Sequence, residues 1–111
     1  MKYQERYRRF QRTSDPPEEK SSSYYLLGQA HFLSGDFKKA VEAFRLAIAV
    51  APDWSKNYEG LGASLVNQGD LASALKAFRE ACRLDPQSQE ARNSFEYAMQ
   101  RIAEKESVVK V

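Results

Sequence analysis

The chain has 111 residues, of which 42% are hydrophobic and 29% charged, with a net charge of +2. This length suits one domain with a modest core, and the small net charge argues against a nucleic-acid binder held by overall electrostatics. A single cysteine, Cys82, excludes an internal disulfide and is compatible with a reducing compartment. The sequence shows neither an apolar run long enough to span a membrane nor a secretory signal. We therefore expect a cytoplasmic location.

Residues 1–20 form a basic segment that carries the whole positive excess, with six basic and four acidic residues. Its aromatic residues are spaced as one face of a helix: Tyr3, Tyr7 and Phe10. Three interpretations stay open for this linker. It docks as a helix on the repeats of its own or a second copy, it is disordered, or residues 2–12 contact nucleic acid or acidic lipid. The next helix begins with a cap at Ser21–Ser23, or it begins earlier, with Ser14 or Asp15 as the cap and a proline in its first position.

Two helix hairpins are predicted next, over residues 21–54 and residues 55–88. Each shows apolar residues at spacings of three and four, a Gly-Asp pair at the turn and a proline after the second helix. In the first turn, Gly35 can adopt the left-handed conformation and Asp36 can cap the helix that follows. Residues 89–106 are helical in pattern without a second helix to follow, which favours a capping helix with a polar outer face. Residues 107–111 are expected to be a frayed tail.

The two hairpins repeat at an offset of 34 residues. Gly28, Gly35, Ala40, Phe44, Ala47 and Pro52 return as Gly62, Gly69, Ala74, Phe78, Ala81 and Pro86. A period of this length is typical of helix–turn–helix repeat arrays. Gly28 and Gly62 fall inside helices, where glycine costs roughly 1 kcal/mol relative to alanine, so we expect a neighbouring side chain to pack too close for a Cβ. Phe44 and Phe78 are expected to fill the space between hairpins.

Taken together, these positions resemble the tetratricopeptide repeat (TPR) family. The residues that carry the resemblance in the first repeat are Tyr24, Leu27, Gly28, His31, Ala40, Phe44, Ala47 and Pro52, and in the second Tyr58, Leu61, Gly62, Leu65, Ala74, Phe78, Ala81 and Pro86. The resemblance implies an all-α fold, in which antiparallel helix hairpins form a short TPR solenoid with a C-terminal capping helix.

The resemblance also implies a ligand site, because the first helices of TPR hairpins line a concave groove that binds peptides or helices. It places the candidate peptide-binding residues at Tyr25, Gln29, Phe32, Lys56, Glu59, Asn67, Asn93, Tyr97 and Arg101. Phe32 has an alternative, shared with Leu33, which is to pack inward or against the N-terminal segment. Some family members grip a C-terminal carboxylate with a clamp of basic and amide residues, and the clamp positions here hold Tyr25, Gln29, Gly60 and Ala63. We therefore do not expect binding to the acidic tails of heat-shock chaperones.

The pattern indicates an interaction protein without enzymatic activity. His31, the only histidine, falls on a core-type helical position, Cys82 is expected to be a small buried hydrophobe, and we find no metal-ligand spacing or phosphate-binding loop. We expect no cofactor. The predicted function is protein binding, as a scaffold, adaptor or assembly subunit whose protein or peptide ligand is unknown. One alternative is self-assembly, with the N-terminal helix docked on a neighbouring copy, and a second is a nucleic-acid or membrane tether through residues 2–12.

Overall fold

A computed structural model describes residues 17–110, with side chains described over residues 20–106. This part of the chain is all-helical, as predicted. The helices are, in order, α1 (Pro17–Leu33), α2 (Phe37–Val50), α3 (Ser55–Gln68), α4 (Leu71–Leu84) and α5 (Gln89–Lys110). None of them is both long and apolar enough to cross a bilayer. The aromatic and basic pattern of residues 2–12, with the hypotheses attached to it, lies outside the described residues.

Consecutive helices pack as hairpins. α1 packs along α2 and α3 along α4, while contact between α2 and α3 joins the two hairpins. α5 packs on α4, where a third hairpin would begin. The first helices also contact one another, α1 with α3 and α3 with α5, so that these three helices form one face. The predicted TPR-like arrangement of packed hairpins is therefore confirmed.

The turns inside the hairpins use the predicted Gly-Asp pairs. Gly35 and Gly69 adopt left-handed conformations, with φ of 85° and 87°, which only glycine enters without a steric cost. Asp36 Oδ1 then accepts a hydrogen bond from the Lys39 backbone N–H at 3.2 Å, and Asp70 plays the same part for α4. Such caps satisfy N–H groups that have no partner within the helix.

Two helix ends differ from the expected boundaries. α1 begins at Pro17 and not after a cap at Ser21–Ser23, because a proline fits the first turn, where the missing N–H would have no intrahelical acceptor. α5 continues to Lys110, through residues that we expected to be frayed. No glycine or proline follows Gln89 to end the helix earlier.

Phe44 and Phe78 fill the spaces between helices, with exposed fractions of only 2% and 3%. A Cβ built on Gly28 or Gly60 would lie less than 3.0 Å from the ring of Phe44, and a Cβ on Gly62 would lie equally close to Phe78. The expectation that side chains pack too close to Gly28 and Gly62 is confirmed. Gly60, which we did not predict in this role, flanks the Phe44 ring as well.

Buried hydrogen bonds join the first hairpin to the second. Ser21 Oγ donates to the carbonyl oxygen of Ala47 at 3.3 Å, and Asn57 Nδ2 donates to Ser21 Oγ at 3.1 Å. Asn57 is fully buried, and its Nδ2 also reaches the carbonyl oxygen of Ala51 at 3.4 Å. Ser21 therefore links α1 to the end of α2 and the start of α3, instead of capping α1.

Candidate peptide-binding groove

The face formed by α1, α3 and α5 carries two adjoining depressions that meet at Ala63. The aromatic pocket has a volume of about 350 Å³ and is lined by Tyr25, Gln29, Phe32, Leu33, Phe44, Lys56, Glu59, Gly60, Ala63 and Glu90. The amide pocket has a volume of about 370 Å³ and is lined by Ala63, Val66, Asn67, Phe78, Asn93, Ser94 and Tyr97. We refer to the two pockets together as the concave groove.

The candidate residues from the sequence line the concave groove with one exception. In the aromatic pocket these are Tyr25, Gln29, Phe32, Lys56 and Glu59, and in the amide pocket Asn67, Asn93 and Tyr97. Arg101 lies outside both linings and contacts Tyr97 instead. Its Nη1 donates to the Tyr97 hydroxyl at 2.7 Å, and its guanidinium carbon lies 5.7 Å from the ring centroid. That these residues bind a ligand remains a prediction.

Tyr25 is held in the wall of the aromatic pocket by two other aromatic rings. Its ring centroid lies 5.8 Å from that of Phe44, edge to face, and 5.0 Å from that of Trp54. Its hydroxyl accepts a hydrogen bond from Gln29 Nε2 at 3.1 Å, so two candidate residues are tied together. Burial raises the pKa of Tyr25, which keeps the hydroxyl protonated and able to donate to a ligand.

Phe32 shows the inward packing that we considered as an alternative. Its ring meets Phe37 edge to face, with centroids 5.4 Å apart, and it packs against the buried core. The same half-buried side chain lines the aromatic pocket. Its contribution to the groove is therefore a fixed apolar wall.

Core residues form part of both linings, which sequence reasoning missed. Phe44 lines the aromatic pocket beside Gly60, and Phe78 lines the amide pocket beside Ser94. Gly60 has no Cβ, which lets the Phe44 ring approach it closely. The signal in the sequence was that glycine stands at 60, where the first repeat has Leu26, one period earlier.

Charged groups at the aromatic pocket form a linked set with an excess of negative charge. Lys56 Nζ lies 3.2 Å from Glu90 Oε2 and 3.8 Å from Glu59 Oε2. The Glu90 side chain is 72% exposed, whereas that of Glu59 is only 11% exposed. Glu59 Oε2 is buried and accepts no hydrogen bond from the residues that the structure describes. The Lys56 ammonium group therefore pairs with two carboxylates, and its contact with the buried carboxylate of Glu59 is too long for a hydrogen bond.

The pKa values follow from this arrangement. Burial raises the pKa of Glu59, the charge of Lys56 opposes that rise, and the negative charges of Glu90 and Asp85 add to it. The pKa of Lys56 is raised mainly by its hydrogen bond to Glu90, so the lysine keeps its charge. The Glu59 carboxylate is thus an ionisable acceptor held in a place that disfavours its charge.

Polar side chains that line the amide pocket make hydrogen bonds within their own helices. Asn67 Nδ2 donates to the carbonyl oxygen of Ala63 at 2.9 Å, and Asn93 Oδ1 accepts from Gln89 Nε2 at 2.8 Å. Tyr97 is 46% exposed at the open side. This pocket therefore offers amide groups and one accessible aromatic ring.

Within the part of the chain that the structure describes, no group of three or more histidine, cysteine or carboxylate residues is placed to hold a metal ion. Cys82, which we expected to be buried, is partly exposed on α4, and burial of the thiol raises its pKa. It is therefore mainly protonated and a weak nucleophile near neutral pH.

The family model described as Tetratricopeptide repeat matches residues 21–54 and residues 55–88. Those two segments cover more than half of the chain. The chain belongs to the tetratricopeptide repeat family. The resemblance inferred from the repeated glycine, alanine and phenylalanine positions is confirmed. A search of curated protein sequences found no match.

Solved structures of TPR proteins share this fold. The structure of the first TPR of Spaghetti (RPAP3) bound to the HSP90 peptide SRMEEVD aligns with a TM-score of 0.72 and 25% identity, over 75% of this chain and 66% of that one. A crystal structure of MamA protein aligns with a TM-score of 0.72 and 26% identity, over 81% and 49%. A second MamA structure, at 22% identity and a TM-score of 0.59 over 78% and 61%, shows the fold alone. The chain thus spans between about half and two thirds of the proteins it matches.

Proposed function

We propose that this TPR chain is a non-enzymatic protein–protein interaction module that binds a peptide or a helix in the concave groove, as an adaptor or a subunit of a larger assembly. One observation carries the proposal: side chains that recur after 34 residues, such as Phe44 and Phe78, are buried, whereas lining positions of the groove differ between repeats. Tyr25 corresponds to Glu59, and Gln29 corresponds to Ala63. A scaffold whose core is the same in both repeats, with a concave face that differs between them, suits recognition of another chain.

The structural comparison supports this proposal. The first TPR of Spaghetti, at 25% identity, is bound to a peptide in its solved structure. The groove of the present chain has exposed Tyr97 beside amide groups, which are typical contacts in peptide recognition. The aromatic pocket places Glu59 and Glu90 where an acidic peptide would be repelled. The proposed ligand is therefore a different kind of peptide from SRMEEVD.

The test is to select a ligand and then remove one groove contact at a time. Displayed random peptides are selected on the immobilised full chain, and the best binder is measured by fluorescence anisotropy. Tyr97→Ala should weaken binding about tenfold or more, since aromatic anchors dominate such interfaces. Met99→Ala is the matched control, because Met99 lies on the same helix, is 50% exposed and lines neither groove pocket. Equal affinities for wild type and Tyr97→Ala would contradict the groove.

Self-assembly is a second candidate function, favoured by two exposed leucines of α1. Leu26 and Leu27 are 62% and 46% exposed, and adjoining apolar side chains on the surface of a repeat array can pair with another copy. Light scattering of the full chain should then show a dimer or larger species that Leu26→Ser dissociates. Leu46→Ser, at a leucine of α2 that is 48% exposed, is the control. A monomer at high concentration would exclude this function. The tether hypothesis for residues 2–12 stays a prediction.

A further inference from the structure

We propose that the aromatic pocket is a subsite for one basic side chain, a lysine or an arginine, of the bound peptide. This inference rests on the proposed function, because it names the chemistry that the groove recognises at one position. Three properties of the pocket carry it: a buried acceptor without a donor, an aromatic wall, and a local excess of negative charge.

The buried acceptor is Glu59. No group among the residues that the structure describes donates a hydrogen bond to its enclosed Oε2, and Lys56 Nζ stays 3.8 Å away. Lys56 makes its shorter contact, at 3.2 Å, with Glu90. A buried carboxylate oxygen without a donor is costly, and a donor brought by a ligand would remove that cost. Ammonium and guanidinium groups supply the strongest such hydrogen bonds to a carboxylate.

The walls suit the rest of a long basic side chain. The lining includes the rings of Tyr25 and Phe32 and the ring of Phe44, which is itself almost fully buried. The methylene stem of lysine or arginine can pack on these rings while the charged end reaches the carboxylate. Tyr25 can also attract the cation through its ring face. The volume of about 350 Å³ leaves room for such a side chain.

Other occupants fit less well. An acidic side chain would meet Glu59 and Glu90, and Lys56, the one cation among the described residues of the lining, is already engaged with both. An apolar side chain would exclude water from Glu59 without offering a donor, which raises the desolvation cost. The basic side chain satisfies the carboxylate and covers the rings at once.

The experiment uses short peptide libraries with both termini blocked, in which the central residue is fixed as Lys, Arg, Glu or norleucine and the flanking residues are random. Binding to the ¹⁵N-labelled full chain is followed by shifts of groove amides and by anisotropy. The Lys and Arg libraries should bind about tenfold or more tightly than the other two, as expected for a charge-assisted hydrogen bond. Glu59→Gln should abolish this preference. Glu42→Gln, at an exposed carboxylate on α2, should keep it.

The outcomes separate the two proposals. Groove amides that shift equally with every library, or more with the Glu library, overturn the basic subsite and leave the peptide groove standing. If no library shifts groove amides, the proposed function itself fails, and the subsite fails with it. Far-UV circular dichroism checks the fold of Glu59→Gln. If that variant loses its helices, Glu90→Gln carries the test, since its side chain is 72% exposed, and an undiminished preference for basic residues in Glu90→Gln then overturns the subsite.

Discussion

Replacing Gly60 with alanine is expected to destabilise the protein, although alanine is the better helix former. In an open helical position, the change raises the free energy of unfolding by about 1 kcal/mol. At Gly60, three ring atoms of Phe44 lie less than 3.0 Å from the new Cβ. The Phe44 ring cannot move away, because it is only 2% exposed. Gly28 of α1 also packs against it, since a Cβ built there would lie less than 3.0 Å from the same ring. Overpacking of this kind lowers the free energy of unfolding by about 1–3 kcal/mol. Because several ring atoms are too close, we expect a cost at the upper end of this range. We expect a net loss of about 2 kcal/mol.

Urea unfolding followed by circular dichroism measures this effect. Ala49→Gly, at an exposed position of α2, calibrates the intrinsic difference between glycine and alanine and should cost about 1 kcal/mol. Trimming the ring should relieve the clash, so Gly60→Ala should be less harmful in a Phe44→Leu background than in the wild type. If Gly60→Ala stabilises the protein by about 1 kcal/mol, Phe44 is not confined and the packing argument fails.

Three further predictions concern the core, the buried polar link and the groove carboxylate. Phe78→Ala should lower the free energy of unfolding by about 3–5 kcal/mol, and a urea-measured loss under about 1 kcal/mol would contradict its core position. Asn57→Ala should cost about 1–3 kcal/mol, since Ser21 loses a buried donor; an unchanged urea midpoint would count against the link. The pKa of Glu59 is raised in the fold above its ordinary value of 4.5, so its ionisation opposes folding. As pH falls through the raised pKa towards 4.5, wild type should gain stability relative to Glu59→Gln, and a constant difference in thermal melts would refute this.

Much of the scaffold was predictable because its determinants are local or repeated. Asp36 caps a helix through an N–H three residues away, and α2 ends just before Pro52 because the residue before proline disfavours helix. Gly28 predicted a close neighbour, because glycine inside a helix lowers stability relative to alanine and needs a packing reason. The repeat pattern separately placed Phe44 between the hairpins, and the structure shows that its ring is the close neighbour of Gly28.

Other features depend on partners that are distant in the chain. Asn57 meets Ser21 across 36 residues, and nothing near Asn57 in the sequence distinguishes a buried link from an exposed amide. A signal did exist for Ser21, which returns after one period as the buried Ser55, but serine before a helix is equally typical of a cap. The state of Glu59 depends on how Lys56 divides its contacts, which only the packed side chains decide.

The groove and the scaffold share residues, which links specificity to stability. Phe44 supports two hairpins and, although it is almost fully buried, also belongs to the lining of the aromatic pocket beside Gly60. At the next interface, Phe78 has the same structural part, but Ser94 stands one period after Gly60, and the pocket there presents amides instead of carboxylates. Identical core positions thus produce pockets of different chemistry. A substitution at Gly60 should therefore alter ligand binding and unfolding together, whereas Glu59→Gln should separate them, because the Glu59 charge serves recognition in our proposal while its ionisation opposes folding.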